Sequence, residues 1–207
     1  MIHIDKHETP AWLSELQKQD PSIGGYDDLS PTAKRRLRQE LIDEQFCLCG
    51  YCCGQISIDH SHNEHITPRS ATSGKQSLDY GNIIASCNGL SHNADHCGHK
   101  KGSTYAAGAY VSPLEEDCEQ HFKYYINGEI VGNSPAATDT IQLLNLNSGG
   151  LKNARRGILR QSFALNGNDA NEYYLKPLEG KLPPFCNIVR YFLRTRSDLY
   201  REAEEGQ

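Results

Sequence analysis

The chain has 207 residues, 37% of them hydrophobic, with a formal net charge of −5. That length suits one elaborated domain or two small ones with a real core, and the acidic balance excludes a broad electropositive surface of the kind that binds nucleic acid nonspecifically. No apolar run approaches the ~18–20 residues of a membrane span, and MIHIDKHETPAW lacks the layout of a secretory leader, so a cytoplasmic protein is expected. In a reducing compartment, paired cysteines are more often metal ligands than disulfides, and this chain carries eight cysteines.

Residues 1–46 read as an N-terminal helical arm. Ser30 is an N-cap and Pro31 suits the first helical position. The run that follows puts Leu37, Leu41 and Gln45 on one stripe, with Glu40 and Glu44 on another face. Residues 47–107 form the segment richest in chemistry. Short β character is expected at Ile56 and Ile58 and again at His65-Ile66-Thr67, interrupted by a polar turn over His60-Ser61-His62-Asn63. Pro68 to Lys75 is a loop, Ile83 to Ser86 a short apolar run, and His99 to Ala107 a modest helix. Residues 108–207 are mainly helical and the expected contact region for a partner. Phe122–Ile126 and Glu129–Val131 flank Asn127-Gly128, which predicts a hairpin with a type I′ turn. Helices are predicted from Ser134-Pro135 to Leu144, from Leu151 to Leu165 and from Pro184 to Glu204. The last carries Ile188, Phe192 and Tyr200 near one stripe. No repeat or heptad pattern is present.

Between Cys49 and Gly102 the order is CGYC, NEHITP, DYGNIIASC and HCGHKKG, and six of the nine histidines fall there (His60, His62, His65, His92, His96, His99). Cys49 and Cys52 have the two-residue gap that lets two thiolates reach one tetrahedral ion. Cys87 and Cys97 can complete a four-sulfur zinc site, with an inserted loop from Asn88 to His96. Cys47 and Cys53 leave the pairs Cys49/Cys53 and Cys47/Cys52 open, and Cys118 and Cys186 read as small buried hydrophobes. Phosphodiester cleavage needs a base that activates water and a divalent cation that neutralises charge. Glu64-His65 supplies a carboxylate and an imidazole, which on a regular strand point to opposite faces. A second ligand must arrive from elsewhere, with His99 the candidate, and Asn82 can hold the intervening loop through its backbone. Asp59, His60, His62 and His92 read as turn or loop residues, and His3, His7 and His121 carry no constellation. Candidate phosphate contacts are Lys100 and Lys101, with patches at Lys34-Arg35-Arg36 and Arg38 and at Lys152, Arg155, Arg156 and Arg160.

EHITP, NIIASC and CGHKKG resemble the HNH, or ββα-metal, endonucleases in their zinc-stabilised form. The resemblance implies an α+β fold: a ββα-metal core with a four-cysteine zinc site, between an N-terminal helix and a mainly helical C-terminal region with one β-hairpin. It implies that His65 is the general base, Asn82 the loop-fixing residue, and Glu64 and His99 ligands of a catalytic Mg²⁺ or Mn²⁺. Cys49, Cys52, Cys87 and Cys97 match the structural zinc ligands. One departure stands out. The third motif residue in many such sequences directly follows the last cysteine, and here that position is Gly98. His99 is the nearest usable ligand, with His96 as the alternative. The flanking PAWL, EQFCLCGYC, FKYYINGEIVG and IQLLNLN segments are similar to the PtuB nuclease subunits of Septu anti-phage systems, which also occur beside retrons. That likeness implies an SMC-like or ABC-like ATPase partner, PtuA, and in a retron setting a reverse transcriptase with its msDNA. DNA is the expected substrate, with tRNA or other RNA open. A catalytically inert zinc-binding adaptor is the alternative of a different class.

Overall fold

The computed structural model describes residues 1–89, 95–104, 110–165 and 172–205. Helix α1 (Ala11–Gln19) begins after Pro10, and α2 (Pro31–Glu44) begins at Ser30, whose hydroxyl accepts from Ala33 N at 3.1 Å. Leu37 and Leu41 on α2 are fully buried, as the predicted stripe requires. Glu44, however, is not on a solvated face. It accepts from Lys6 Nζ at 2.5 Å and from His7 N at 2.6 Å, and so pins the N-terminal segment to α2. Gln45, just past the helix, accepts from Ala85 N at 2.7 Å and donates to Ala85 O at 2.9 Å. One side chain thereby satisfies the open edge of the strand beside it.

That strand is β2 (Ile83–Cys87), antiparallel to β1 (Ser61–His65), with Ser61 opposite Cys87 and His65 opposite Ile83. The strand β1 therefore runs straight through the segment predicted as a polar turn. Local composition is overridden because each polar side chain finds a tertiary partner. Ser61 Oγ donates to Ser57 O at 2.6 Å, and Asn63 Nδ2 donates to Tyr26 Oη and Lys34 O, both at 2.9 Å. Helix α3 (Cys97–Lys101) packs on β2 and ends at Gly102, which takes φ of +56°. It is shorter than the helix expected to Ala107, whose last residues, 105–107, lie outside the described residues.

The second hairpin pairs β3 (Phe122–Tyr124) with β4 (Ile130–Gly132). Its turn is not the predicted type I′. Tyr125 N donates to Glu129 O and Gly128 N to Tyr125 O, and only Gly128 (φ +84°) has positive φ, whereas type I′ requires it at two residues. Packing on the next layer explains the choice: a Cβ on Gly128 would meet Lys152 O at 2.1 Å. Helices α4 (Pro135–Leu143), α5 (Gly149–Ser162) and α6 (Cys186–Glu205) complete the C-terminal region. One continuous apolar core draws on all three segments of the chain, from Met1 and Leu13 through Ile83 and Ile84 to Leu159 and Ile188.

Candidate active site

The sulfurs of Cys49, Cys52, Cys87 and Cys97 are buried and lie within 4.8 Å of one another. Cys52 Sγ and Cys87 Sγ are 3.8 Å apart, matching the edge of a tetrahedron of four sulfurs around zinc with bonds of ~2.3 Å. The donor set thus fits a tetrahedral metal such as zinc, and it resolves the alternatives among neighbouring thiols. Cys47 and Cys53 stand outside the cluster, and Cys118 and Cys186 are simply buried. Backbone N–H groups of Gly54 and Cys87 point at Cys52 Sγ and Cys49 Sγ, each at 3.3 Å, as expected for sulfurs carrying negative charge. Burial opposes ionisation of Cys49, yet hydrogen bonds from Cys52, Cys87 and Cys97 hold its thiol well below the ordinary range. The first pair precedes β1, Cys87 ends β2 and Cys97 opens α3. One ion would therefore tie the entry of the ββα unit to its junction between β2 and α3. His96 belongs to this end of the unit, with Nδ1 3.1 Å from Cys97 Sγ and the residue fully buried. It is not placed to serve the cleft.

The cleft opens beside β1 and the start of α3. It encloses about 400 Å³ and is lined by His62, Glu64, His65, Arg69, Gly98 and His99 among others. His65 and Glu64 leave β1 on opposite sides, as alternation demands. His65 is buried, stands edge-on to the Tyr26 ring at 4.8 Å and bonds Ser77 O through Nε2 at 2.9 Å. That carbonyl selects the tautomer with the proton on Nε2 and leaves Nδ1 as the basic nitrogen. Burial, aided by the charges of Arg69 and Lys101 and opposed by the Ser77 hydrogen bond, lowers the pKa of His65. Asn82 accepts from Thr67 N at 2.8 Å and donates to Thr67 O at 2.9 Å. It fastens Thr67, two residues beyond His65, to the start of β2.

Glu64 points the other way, toward α3. Its Oε1 accepts from Lys101 Nζ at 2.7 Å and from Tyr51 Oη at 3.2 Å. Burial works against its charge, but the neighbouring His62 and Lys101 leave its pKa lowered. Lys101 is consequently not a nucleic-acid contact. It is 1% exposed and also donates to His65 O at 2.8 Å. The lysine is needed inside, where the carboxylate would otherwise be a buried, unpaired charge. Lys100 is exposed on α3. His99 lines the cleft with Nε2 3.2 Å from Asn88 Oδ1, and burial together with the nearby His62 lowers its pKa.

The basic patches also change meaning. Arg155 is 1% exposed and donates to Gly128 O at 2.7 Å and Leu146 O at 2.6 Å. It holds the hairpin turn and is lost to any surface patch, whereas Arg156 and Arg160 remain on the outer side of their helix. On α2, Lys34 donates to Asp27 O, Arg35 pairs with Asp59 at 2.8 Å, Arg36 stacks over Trp12 and Arg38 donates to Ile58 O. Asp59 is thus an ordinary turn carboxylate, and His60 is exposed as expected. His62 is not a loop residue. It sits on β1, two residues from Glu64 and on the same face. The signal for it was present as His62-x-Glu64, a period of two, but was hidden once the segment was read as a turn. Asn88 and Ser77 act through single atoms and left no signal. His92 lies outside the described residues.

No protein-family model matches the chain. It is 28% identical over 136 residues to "Retron Vc95 putative HNH endonuclease" of Vibrio cholerae, a match covering 63% of this chain and 65% of that protein, slightly under two thirds of its length. It is 24% identical to "Retron Ec83 putative HNH endonuclease" of Escherichia coli, covering 96% of this chain and 93% of that protein. Helices on two small antiparallel sheets, a buried four-cysteine cluster, and these two relatives agree with the motifs: the chain resembles the HNH endonucleases.

Proposed function

We propose that this chain is a metal-dependent endonuclease of the HNH type that hydrolyses phosphodiester bonds, DNA foremost, in a retron-linked or Septu-like defence system under control of a partner ATPase. The observation that carries this reading is the placement of His65. A buried imidazole, oriented by Ser77 O, lines the same cleft as Glu64 and His99. In the reaction, His65 Nδ1 takes a proton from the attacking water. Asn82 keeps the loop from Thr67 in place, so that the imidazole does not turn away from it. Glu64, with His99 as the second ligand that the resemblance implies, would hold Mg²⁺ or Mn²⁺, which supplies neutralisation of charge on the phosphate and the leaving oxygen. The structural zinc holds the two strands and α3 in register. The net charge of −5 supports a substrate presented by a partner. The exposed apolar side chains Phe163, Tyr173, Leu175 and Leu178 support placing that partner on the C-terminal region.

Nuclease assays of wild type and His65→Ala with Mg²⁺ or Mn²⁺, on DNA and on tRNA, with and without the ATPase, test the proposal. Cleavage that needs both metal and His65 is expected. The ion pair of Glu64 with buried Lys101 favours a second reading, an inert zinc-held adaptor whose carboxylate is neutralised internally. Absence of cleavage by the zinc-loaded wild type, with partner and ATP varied, would establish that reading instead.

A further inference from the structure

Gly98 occupies the position where the motif calls for a metal-ligating side chain. Its backbone does not need glycine, because it is not among the residues with positive φ. What it needs is space. A Cβ there would lie 2.6 Å from His62 Nε2 and 2.7 Å from Glu64 Oε2. Two side chains from β1 thus converge on the volume that a side chain at position 98 would fill. They reach it because His62 and Glu64 alternate on one face of the strand.

The surrounding atoms decide what each group offers there. Asn88 Oδ1 lies 2.9 Å from His62 Nδ1 and orients the ring so that Nε2 faces the volume beside Gly98. Glu64 Oε1 is occupied by Lys101 and Tyr51, so Oε2 is the oxygen left toward His62, at 3.5 Å. Nε2 and Oε2 face the same volume beside Gly98 from 3.5 Å apart, longer than the charge-assisted hydrogen bond of about 2.7–2.9 Å, and a divalent cation placed there would have both atoms in reach. Both side chains keep access to the cleft, 22% and 10% exposed.

We infer that His62 replaces the missing third-motif side chain, and that His62 Nε2 and Glu64 Oε2 together form the protein's clamp for the divalent cation. The inference rests on the nuclease reading above and assigns to that centre a ligand from the first strand in place of one from the helix. Asn88 is then a positioning residue for His62.

The test is Mn²⁺ binding to the zinc-loaded chain, followed by electron paramagnetic resonance of free Mn²⁺, which needs no turnover. Expected are a loss of affinity of at least 10-fold in His62→Ala, with zinc content and melting temperature unchanged, and a smaller loss in His99→Ala. Unaltered Mn²⁺ binding in His62→Ala, or no Mn²⁺ binding by wild type, would overturn the inference. So would a larger loss in His99→Ala, which would return the position to the helix. The two readings separate cleanly. His62-dependent binding without cleavage would remove the nuclease reading and keep the clamp. His65-dependent cleavage with binding indifferent to His62 would do the reverse.

Discussion

Both polar atoms of the Asn82 amide are committed to Thr67, one to its N–H and one to its C=O. Asn82→Ala should cost about 1–2 kcal/mol of stability and lower cleavage substantially, since the loop that fixes the direction of His65 is freed. Asn82→Asp keeps the acceptor and loses the donor, and should fall between the two in both denaturation and rate measurements. Lys101 offers a sharper residue-level test. With 1% of its side chain exposed against 10% for Glu64, Lys101→Met strands a buried carboxylate, and a loss on the order of 3 kcal/mol is expected in urea denaturation. A lysine acting only at phosphate would leave stability within about 0.5 kcal/mol of wild type.

At the level of the element, the β3–β4 hairpin depends on α5. Arg155 saturates Gly128 O and Leu146 O from the helix, and Gly128 lies against the helix backbone. Arg155→Leu leaves those carbonyls without their donor and should destabilise the protein by about 2–3 kcal/mol, measured by thermal melting. Arg156→Leu, one residue along and outside the core, should change melting little. If both behave alike, the hairpin is not held from α5. The same logic applies to β1, where five polar residues make a strand only because β2, Tyr26 and Lys34 are there to receive them.

For the molecule as a whole, the cysteine cluster is the clasp between the two pairs of its ligands. Phe46, Cys47, Cys53 and Cys97 hold left-handed backbone around it, with φ between 52° and 61°, a conformation that costs roughly 1–2 kcal/mol per residue. A metal held by the four sulfurs would offset that cost, because the binding energy of a structural zinc is also folding energy. Chelation should release one zinc per chain and lower the melting temperature by roughly 10 °C or more, and Cys97→Ser should do the same without chelator. Cys118→Ser, in an equally buried thiol outside the cluster, should keep its zinc. An unchanged melting curve after measured zinc loss would show that the core alone carries the fold.

Some of this was readable from residues in order. The two-residue gap of Cys49 and Cys52 and the cap and stripe of α2 are local, set by covalent spacing and by the 3.6-residue period. Groups whose role depends on what stands opposite them were not. Lys101 and Arg155 looked like surface cations because sequence shows charge but not burial. His62 looked like a turn residue because its partners, Asn88, Glu64 and the empty face of Gly98, are brought to it by strand pairing and by helix docking. Charge and spacing are properties of the chain. Whether a charge is paired inside or offered outside is settled by the desolvation that folding imposes, and only packing in three dimensions sets that.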